Sequence, residues 1–351
     1  MFDLKQFNIT KIFKAVLNKK SIALLKVLLS ALLIFLLIKY SGVDFRCMAD
    51  VDWRYVVLAG CVLLLQYTLV ALRWWWILRG FDIQISFFIA LSLTCQGLFY
   101  MLFLPGGTLT ADVCKAALTA GKTDKKQQLD AAFTVIVDRV CGLTGLIYLA
   151  LTVIAVVILT GGCGNLLMSD FFNWLLKSFV PVGLLLIAAT TVFFCGGRLL
   201  KKVLPQKLFN LLDFRCNGLL SRLAEGLLCN RKMWRKYLAP SICFSMFVTF
   251  PLLILSVYFI SCGIIGNSRA AFYGAMISSS IGELSGILPL TPGSIGVRDA
   301  ISSQCFQACG ISKDIATLIP LVYTVLMFIT GSAGGLFALH MLFAGKKKKQ
   351  D

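Results

Sequence analysis

The sequence predicts an all-α polytopic membrane protein, with about six full spans plus two re-entrant helical hairpins in an inverted repeat. The 351 residues are 58% hydrophobic and 14% charged, with a mean hydropathy of +0.86, which departs from the usage of soluble domains. Two similar strings, FLPGGTLTADVCKAAL and PLTPGSIGVRDAIS, each place a Pro-Gly turn after an apolar stretch and an aspartate seven residues after the proline. Matched interruptions of this kind in two halves of a membrane protein indicate a transport site.

Eight hydrophobic segments make up the predicted membrane-embedded part of the chain. They lie at about residues 21–39, 55–72, 85–104, 130–160, 174–196, 238–262, 271–290 and 315–343. Each is long enough to enter a hydrocarbon core of ~30 Å. Because the bilayer offers the backbone no hydrogen-bond partners, segments of this length favour helices over barrel strands. The first apolar run is too long for the core of a cleavable signal peptide, so none is expected.

Cysteine, histidine and charge usage exclude several kinds of site. The thirteen cysteines lie mostly inside apolar runs without a CxxC motif, and we interpret them as small buried hydrophobes. The single histidine, His340, excludes a multi-histidine metal site, and no metal or cofactor is predicted.

The net charge of +18 follows the positive-inside rule, with ten basic residues in 197–236 and none in 161–173. We therefore predict anionic inner-leaflet lipids, and not nucleic acid, as partners of the basic loop 197–236.

The charge distribution also predicts the topology. If segment 85–104 crossed the membrane once, most basic residues would fall on the non-cytoplasmic face. The conflict disappears if segment 85–104 turns at its Pro-Gly pair, so that 108–119 returns to the cytoplasm. In the same way, segment 271–290 is expected to turn at its Pro-Gly pair, so that 294–309 returns to the outside. Re-entrant limbs are preferred because irregular backbone at membrane depth needs a cover of protein or water, although tilted full spans would give the same parity. Both termini are then cytoplasmic.

The order span, span, hairpin, span occurs twice along the chain. One half covers about 21–160, and the other, in the opposite orientation, covers about 174–343 and contains the basic loop 197–236. The whole chain, 1–351, is therefore predicted to form a single integral membrane domain built as an inverted repeat.

Four motifs carry a family resemblance: LPGGTLTADVCKAAL, VIVDRVCGL, LTPGSIGVRDA and LRWWWILRG. In that order, they resemble four motifs of the lysylphosphatidylglycerol synthase transmembrane-region family, a flippase-like membrane domain. The four motifs are its first Pro-Gly motif, its acidic-Arg pair, its late Pro-Gly signature and its Arg-Trp element. The resemblance covers essentially the whole chain. Asp112 and Lys115 stand where the first motif usually has glutamate and arginine, Asp138 and Asp299 replace glutamates, and Ser294 replaces a glycine. Because the type of charge is kept, these departures concern the substrate more than the mechanism.

The resemblance implies a protein that moves a lipid between the leaflets of the cytoplasmic membrane of a bacterium or archaeon. The lipid would be an anionic or aminoacylated phospholipid or a polyprenyl-linked lipid. Some family members carry a soluble aminoacyltransferase domain, but the longest polar segment here, 197–236, has about 40 residues and is too small to fold alone as a catalytic domain. Enzymatic activity as a phosphatidylglycerol lysyltransferase is therefore not expected.

Charged residues at membrane depth are the candidates for the site, because each costs roughly 2.5–3.5 kcal/mol on insertion scales and so faces protein or water. Glu283 is the strongest, about twelve residues into an apolar segment. No catalytic residues are predicted. The predicted substrate-binding set is Glu283, Arg298, Asp299, Gly293, Asp138, Arg139, Asp112, Lys115 and Gly106.

The hairpins suggest roles for several members of this set. A half-helix that starts near Arg298 would aim its N–H groups and positive dipole end at a lipid phosphate, with the guanidinium adding a two-pronged contact. Alternatively, Arg298 pairs with Asp138 or Glu283 only to fix helix packing. One member of the Asp138-Arg139 pair is expected to contact Glu283 or Arg298. Glu283, Asp138 or Asp112 could also carry a coupling proton.

Two further features of the sequence are interpreted structurally. Arg73-Trp74-Trp75-Trp76 is typical of an interfacial anchor with snorkelling arginines, or alternatively of a lateral gate for a lipid. Pro251 predicts a kink in its span.

Two other functions stay open. A membrane-embedded enzyme acting on lipid head groups would have to rely on paired carboxylates, because the sequence offers no Ser-His, Cys-His or metal grouping. A proton-coupled transporter of a small anion would fit the same inverted hairpins. Hydrophobic openings between helices would favour a lipid, and a closed polar vestibule would favour a small solute.

The topology predicts which cysteines an impermeant maleimide reaches in intact cells. Cys163, in the connection without basic residues, should be labelled before permeabilisation, whereas Cys216 and Cys229 in the basic loop should be protected. Gel shifts of single-cysteine variants after labelling with a mass-tagged reagent would measure this. Labelling of Cys216 from outside would contradict the topology.

Overall fold

The protein is an integral multi-pass membrane protein by the length and composition of its helices. The computed structural model describes residues 51–104, 107–124, 127–162, 233–285 and 291–347, with a few isolated helical positions within 32–39 and 170–188. Every regular element in these ranges is helical. Four of the described helices are long and apolar enough to cross a membrane: Trp53–Gly80, Gln128–Thr160, Trp234–Ile265 and Lys313–Gly335.

Several predictions concern residues outside these described ranges. Segments 21–39 and 174–196 and most of the basic loop 197–236 lie outside the described residues, as does Gly106. The other six predicted segments coincide with helices over nearly all of their described residues, but the helix at 55–72 continues eight residues farther, to Gly80. The number of segments, the re-entrant character of the hairpins and the inverted repeat therefore stay predictions.

The first four helices with described bounds correspond to residues 53–160 of the predicted first half. They are α1 (Trp53–Gly80), α2 (Phe87–Phe103), α3 (Gly107–Ala120) and α4 (Gln128–Thr160). Side-chain caps start the first two, because the Asp52 carboxylate accepts from the Arg54 N–H (3.0 Å) and the Ser86 hydroxyl accepts from the Ile89 N–H (3.4 Å). α2 and α3 are joined by the short segment that contains the first Pro-Gly pair, and they form the first hairpin.

The last four helices correspond to the predicted second half. They are α5 (Trp234–Ile265), α6 (Arg269–Ser285), α7 (Val297–Ala308) and α8 (Lys313–Lys347). α5 contains two π-helical turns, Trp234–Leu238 and Ser245–Thr249. The second of these turns comes immediately before Pro251, where the sequence predicts a kink; both a π turn and a proline interrupt the regular hydrogen-bond ladder of a helix.

The second hairpin turns through a short 3₁₀ segment, Pro292–Ser294. Gly293 (φ 59°), Ser294 (φ 58°) and Gly296 (φ 86°) all have left-handed backbone conformations, which glycine adopts without steric cost. The turn packs against α2 and α3. A Cβ at Gly293 would lie 2.9 Å from Leu102 Cδ2, so the tip of the second hairpin sits directly on the first.

The helices follow one packing scheme in both parts of the chain. α2 packs on α3 and α3 on α4, just as α6 packs on α7 and α7 on α8. α4 contacts α6 of the other hairpin, and α8 contacts α2 in return. α1 and α5 pack along each other at the centre. The two hairpins are therefore enclosed by the long helices.

Small residues allow close approach between these helices, as is typical of membrane-embedded helix packing. Gly145 on α4 faces the Ser245 side chain and the Ile242 carbonyl of α5, and Gly274 on α6 lies against the buried ring of Phe306 on α7. The two limbs of the second hairpin thus interlock through a glycine and an aromatic ring.

Replacing Gly274 with alanine should destabilise the protein, because the added Cβ would overlap the Phe306 ring. Overpacking of this kind costs about 1–3 kcal/mol. Gly60→Ala is the matched control, since its Cβ would meet only Leu326 Cδ2 at an ordinary 3.7 Å. Thermal unfolding in detergent, followed by tryptophan fluorescence, should show a lowered midpoint for Gly274→Ala and an unchanged or raised one for Gly60→Ala. Equal midpoints would contradict the packing described.

Candidate functional site

A cavity of about 380 Å³ lies between the two hairpins. It is lined by residues from each of the helices α1 to α8 and from the turn of the second hairpin. The predicted site residues that line it are Glu283, Arg298, Gly293, Asp138, Arg139, Asp112 and Lys115. Charged groups from both hairpins thus meet in one space, as expected if the two Pro-Gly strings belong to one site.

A buried ion pair forms one wall of the cavity. Arg73 Nε lies 2.9 Å from Asp138 Oδ1, and both side chains are only 6% exposed. Arg73 Nη1 also donates to Ser245 Oγ on α5 (2.6 Å), in the second π turn. One member of the Asp138-Arg139 pair was expected to contact Glu283 or Arg298; the ion-pair partner of Asp138 is instead Arg73.

The interpretation of the Arg-Trp string as an interfacial anchor is wrong for its first two residues. Arg73 is buried in the pair just described, and Trp74 is fully buried, with its indole N–H donating to Thr134 Oγ1 (3.2 Å). The physical reason is that α1 continues to Gly80 and packs this part of its length against α4, where Asp138 needs a counter-charge. Trp76, in contrast, is exposed.

A second ion pair is more open. Arg139 Nε lies 2.7 Å from Asp112 Oδ1, and the side chains are 53% and 25% exposed. The adjacent residues Asp138 and Arg139 of α4 therefore bind different helices, α1 and α3. Because Arg139 is the most exposed of these charged side chains, this end of the cavity is its accessible part.

Lys115 on α3 has no carboxylate partner among the described residues. Its Nζ lies 3.7 Å from the centre of the Trp74 ring, and its side chain passes close to Gly97 of α2. The residue is buried but lines the cavity. A cation over an indole face is attracted by the ring quadrupole, and its remaining N–H donors are available to a ligand in the cavity.

The charged side chains Arg298 and Asp299 of the second hairpin are more deeply buried than Arg139 and Asp112 and form more hydrogen bonds. Arg298 Nη2 donates to Asp299 Oδ1 (3.1 Å) and to Thr324 Oγ1 (2.5 Å), and the Thr324 hydroxyl donates to the same carboxylate (2.9 Å). The guanidinium also lies over the Tyr323 ring, 4.7 Å from its centre. Glu283 Oε1 is 3.9 Å from Arg298 Nη1, so the alternative pairing of these two side chains is present.

Asp299 does not line the cavity. Its other carboxylate oxygen accepts from the Gly296 N–H (3.0 Å) and caps the start of α7. The positive end of this half-helix is therefore met by the protein's own carboxylate. The expectation that the start of α7 points at a lipid phosphate stays a prediction, with the Gly296 N–H already bonded to Asp299.

Glu283 is the carboxylate of the second hairpin that faces the cavity. Its side chain is 31% exposed, and its closest counter-charge, Arg298, is already bonded to Asp299. Gln96, at the matching place in the first hairpin, is buried and donates to Ser92 Oγ (3.1 Å) within its own helix. The two hairpins are therefore not equivalent at this position.

The sequence interpretation missed several polar lining residues, namely Gln66, Tyr67, Arg73, Thr94 and Tyr323. Gln66 and Arg73 are seven residues apart and lie on one face of α1, which is the helical spacing that could have identified them. The rest of the wall is largely apolar and includes Val70, Leu98, Met101, Leu143, Leu146, Phe250 and Leu253. The cavity thus combines charged groups with a hydrocarbon-like surface.

The buried pair can be tested by removing one charge or both. Arg73→Gln and Asp138→Asn should each destabilise the protein by about 3–5 kcal/mol, since each leaves an uncompensated buried charge. The double variant should be less destabilised than either single variant, because no charge remains unpaired. Thermal midpoints of the purified proteins in detergent would measure this. Additive losses in the double variant would contradict a direct pair.

Comparison with known proteins agrees with this architecture. Residues 23–335 match the family model of the lysylphosphatidylglycerol synthase TM region. The chain is also similar to a UPF0104 membrane protein of Pyrococcus horikoshii, with 23% identity over 336 residues that cover 90% of this chain and 96% of the relative. No solved structure matches. Since the family model spans most of the sequence, the chain belongs to the lysylphosphatidylglycerol synthase transmembrane-region family.

Proposed function

We propose that the protein is a lipid flippase, which moves an anionic or aminoacylated phospholipid or a polyprenyl-linked lipid between leaflets through the cavity between its hairpins. The observation that carries this proposal is the composition of the cavity wall. Lys115, Arg139 and Glu283 share one space of about 380 Å³ with a largely apolar surface. An amphiphile with a charged head and a hydrocarbon tail is the ligand that matches both parts.

Lys115 is the group we propose for head-group binding. Its ammonium is the lining cation that has no ion pair in the described part of the chain, and the Trp74 ring holds it in place. A phosphate would supply the missing counter-charge through charge-assisted hydrogen bonds. Arg139, whose pair with Asp112 is partly exposed, can exchange that carboxylate for an entering head group at little cost.

Glu283 would act on the other side of the head group. Its contact with Arg298 is loose, at 3.9 Å, so the carboxylate can accept from an amine in the cavity as well as from the Tyr323 hydroxyl. A lipid that carries both a phosphate and an amino group would thus meet a cation on the first hairpin and a carboxylate on the second.

An inverted repeat is the second part of the proposal. It is supported by the packing scheme, in which α1 to α4 and α5 to α8 make corresponding contacts and α4 and α8 each contact the other half's hairpin. In such repeats, alternating access arises when one half rocks against the other around a central site. The proposed membrane is the cytoplasmic membrane of a bacterium or archaeon, with both termini in the cytoplasm.

The wild-type protein in liposomes should change the leaflet distribution of a fluorescent lipid without changing its mass. The assay uses NBD-labelled phosphatidylglycerol, lysyl-phosphatidylglycerol and phosphatidylethanolamine, dithionite quenching of the outer leaflet and mass spectrometry of the extracted lipid. Lys115→Gln should slow movement of the phosphatidylglycerol probe at least about tenfold, the loss expected for one charge-assisted contact.

Lys122→Gln is the matched control, because Lys122 is exposed in the connection after α3 and does not line the cavity. It should transport at the wild-type rate. A new lipid species in the extract would support the enzyme instead. Uptake of free phosphate without lipid movement would support the small-anion transporter.

A further inference from the structure

A second, much smaller pocket adjoins the cavity at Glu283. Its volume is about 20 Å³, which is room for a single water molecule. Glu283, Arg298 and Tyr323 line both spaces. The remaining polar wall of the small pocket consists of three serine residues, Ser278, Ser279 and Ser302.

Two polar atoms in this wall are buried and have no hydrogen-bond partner within the described part of the chain. They are Ser279 Oγ and Arg298 Nε. A buried polar group without a partner costs roughly 1–3 kcal/mol, and such groups are usually satisfied by an ordered water. One water can accept from the Arg298 N–H and exchange a hydrogen bond with the Ser279 hydroxyl.

A proline adds a further acceptor next to the same pocket. Pro320 lines the pocket within α8. Because proline has no N–H, the carbonyl of Ala316 lacks its helical donor. Ala316 is fully buried, so its carbonyl oxygen also depends on a partner from inside the protein.

The pocket extends past Glu283, away from the turn of the second hairpin. Along α6, Ser279 is one helical turn farther from the hairpin turn than Glu283, and along α7, Ser302 is one turn farther than Arg298. The large cavity instead includes Gly293 in the hairpin turn itself. Glu283, Arg298 and Tyr323 therefore lie where the space proposed for the lipid meets a small pocket between α5, α6, α7 and α8.

We propose that the small pocket binds an ordered water that exchanges protons with Glu283, so that lipid movement is coupled to a proton gradient. This inference depends on the proposed flippase function. In the coupling step, the Glu283 carboxylate accepts one proton through the water and becomes a neutral carboxylic acid, and it later returns that proton to water. No other bond changes.

Groups from four helices face the Glu283 carboxylate. Arg298 and Asp299 face it from α7, Tyr323 from α8, and Arg139 from α4. The tyrosine on α1 that faces it is Tyr67.

The four basic groups of the site (Arg73, Lys115, Arg139 and Arg298) are balanced by the four carboxylates Asp112, Asp138, Glu283 and Asp299. Protonation of Glu283 changes this balance by one positive charge and favours an anionic head group. By linkage, an anionic head group favours protonation to the same extent.

The test uses wild-type protein in liposomes that contain NBD-labelled phosphatidylglycerol, with and without a pH gradient. Each variant's rate is divided by its own rate without the gradient. We expect the gradient to accelerate lipid movement in the direction of proton flow by about tenfold, within the usual range of coupling between two sites. Glu283→Gln and Ser279→Ala should both reduce this ratio towards one.

Ser280→Ala is the matched control, because Ser280 is buried beside Ser279 but donates to the Met276 carbonyl of its own helix (2.8 Å) and does not line the pocket. Its ratio should equal that of the wild type. Lipid movement that ignores the gradient in the wild type would overturn the coupling proposal and leave the flippase standing. A wild-type ratio in Ser279→Ala would overturn the role of the pocket.

Infrared difference spectra supply a second measurement that does not depend on transport. A pH step on the purified protein should produce a protonated-carboxyl band that is absent in Glu283→Gln. In Ser279→Val, whose larger side chain fills the site of the water, the frequency of this band should shift, because the carboxyl group loses its hydrogen bond to that water. An unchanged band frequency would overturn the proposal.

Discussion

The ion pair between Arg73 and Asp138 is the contact on which the architecture depends most, because it ties together three long helices. Arg73 belongs to α1, Asp138 to α4, and Ser245, which accepts a further hydrogen bond from Arg73, to α5. All three side chains are buried. Charges at membrane depth must find partners inside the protein, so the pair fixes the rotation of each helix about its own axis. Trp74 follows Arg73 and carries Lys115 on its ring, which makes the position of the proposed head-group cation a consequence of the same pair.

The charged side chains of the two hairpins differ in how far they are exposed. Arg298 and Asp299 of the second hairpin share a set of hydrogen bonds with Thr324 of α8 that has almost no exposed surface. Asp112 of the first hairpin pairs with Arg139 of α4, and this pair is partly exposed. Buried hydrogen-bonded networks resist change, whereas exposed pairs are weak and easily exchanged. A fixed hairpin opposite an exchangeable one is a suitable arrangement for a site that must hold a ligand and then release it.

Hydropathy predicted the described helices, and the charged residues within them predicted part of the cavity lining, because insertion cost is a local property of the sequence. The pairing of the charges could not be predicted in this way. Arg73 was interpreted as an interfacial anchor, and its pairing with Asp138 depends on how α1 and α4 are rotated, which is a property of packing. Asp299 illustrates the same limit, because the sequence does not show whether a carboxylate at a helix start binds its own backbone or leaves the N–H groups to a ligand.

The π-helical turn at Ser245–Thr249 has a consequence for how this sequence can vary. A π turn holds one residue more than the α-helical ladder can accommodate, and Ser245, the partner of Arg73, lies within it. Loss of one residue after Ser245 would convert this turn to ordinary α-helix and leave the two ends of α5 in nearly the same relative orientation, because the π turn already absorbs the extra residue. Ser245 would then stay beside Arg73, and Phe250 and Leu253 would stay on the cavity wall. At this point of the fold, the identity of residue 245 is therefore constrained more strictly than the number of residues that follow it in the turn.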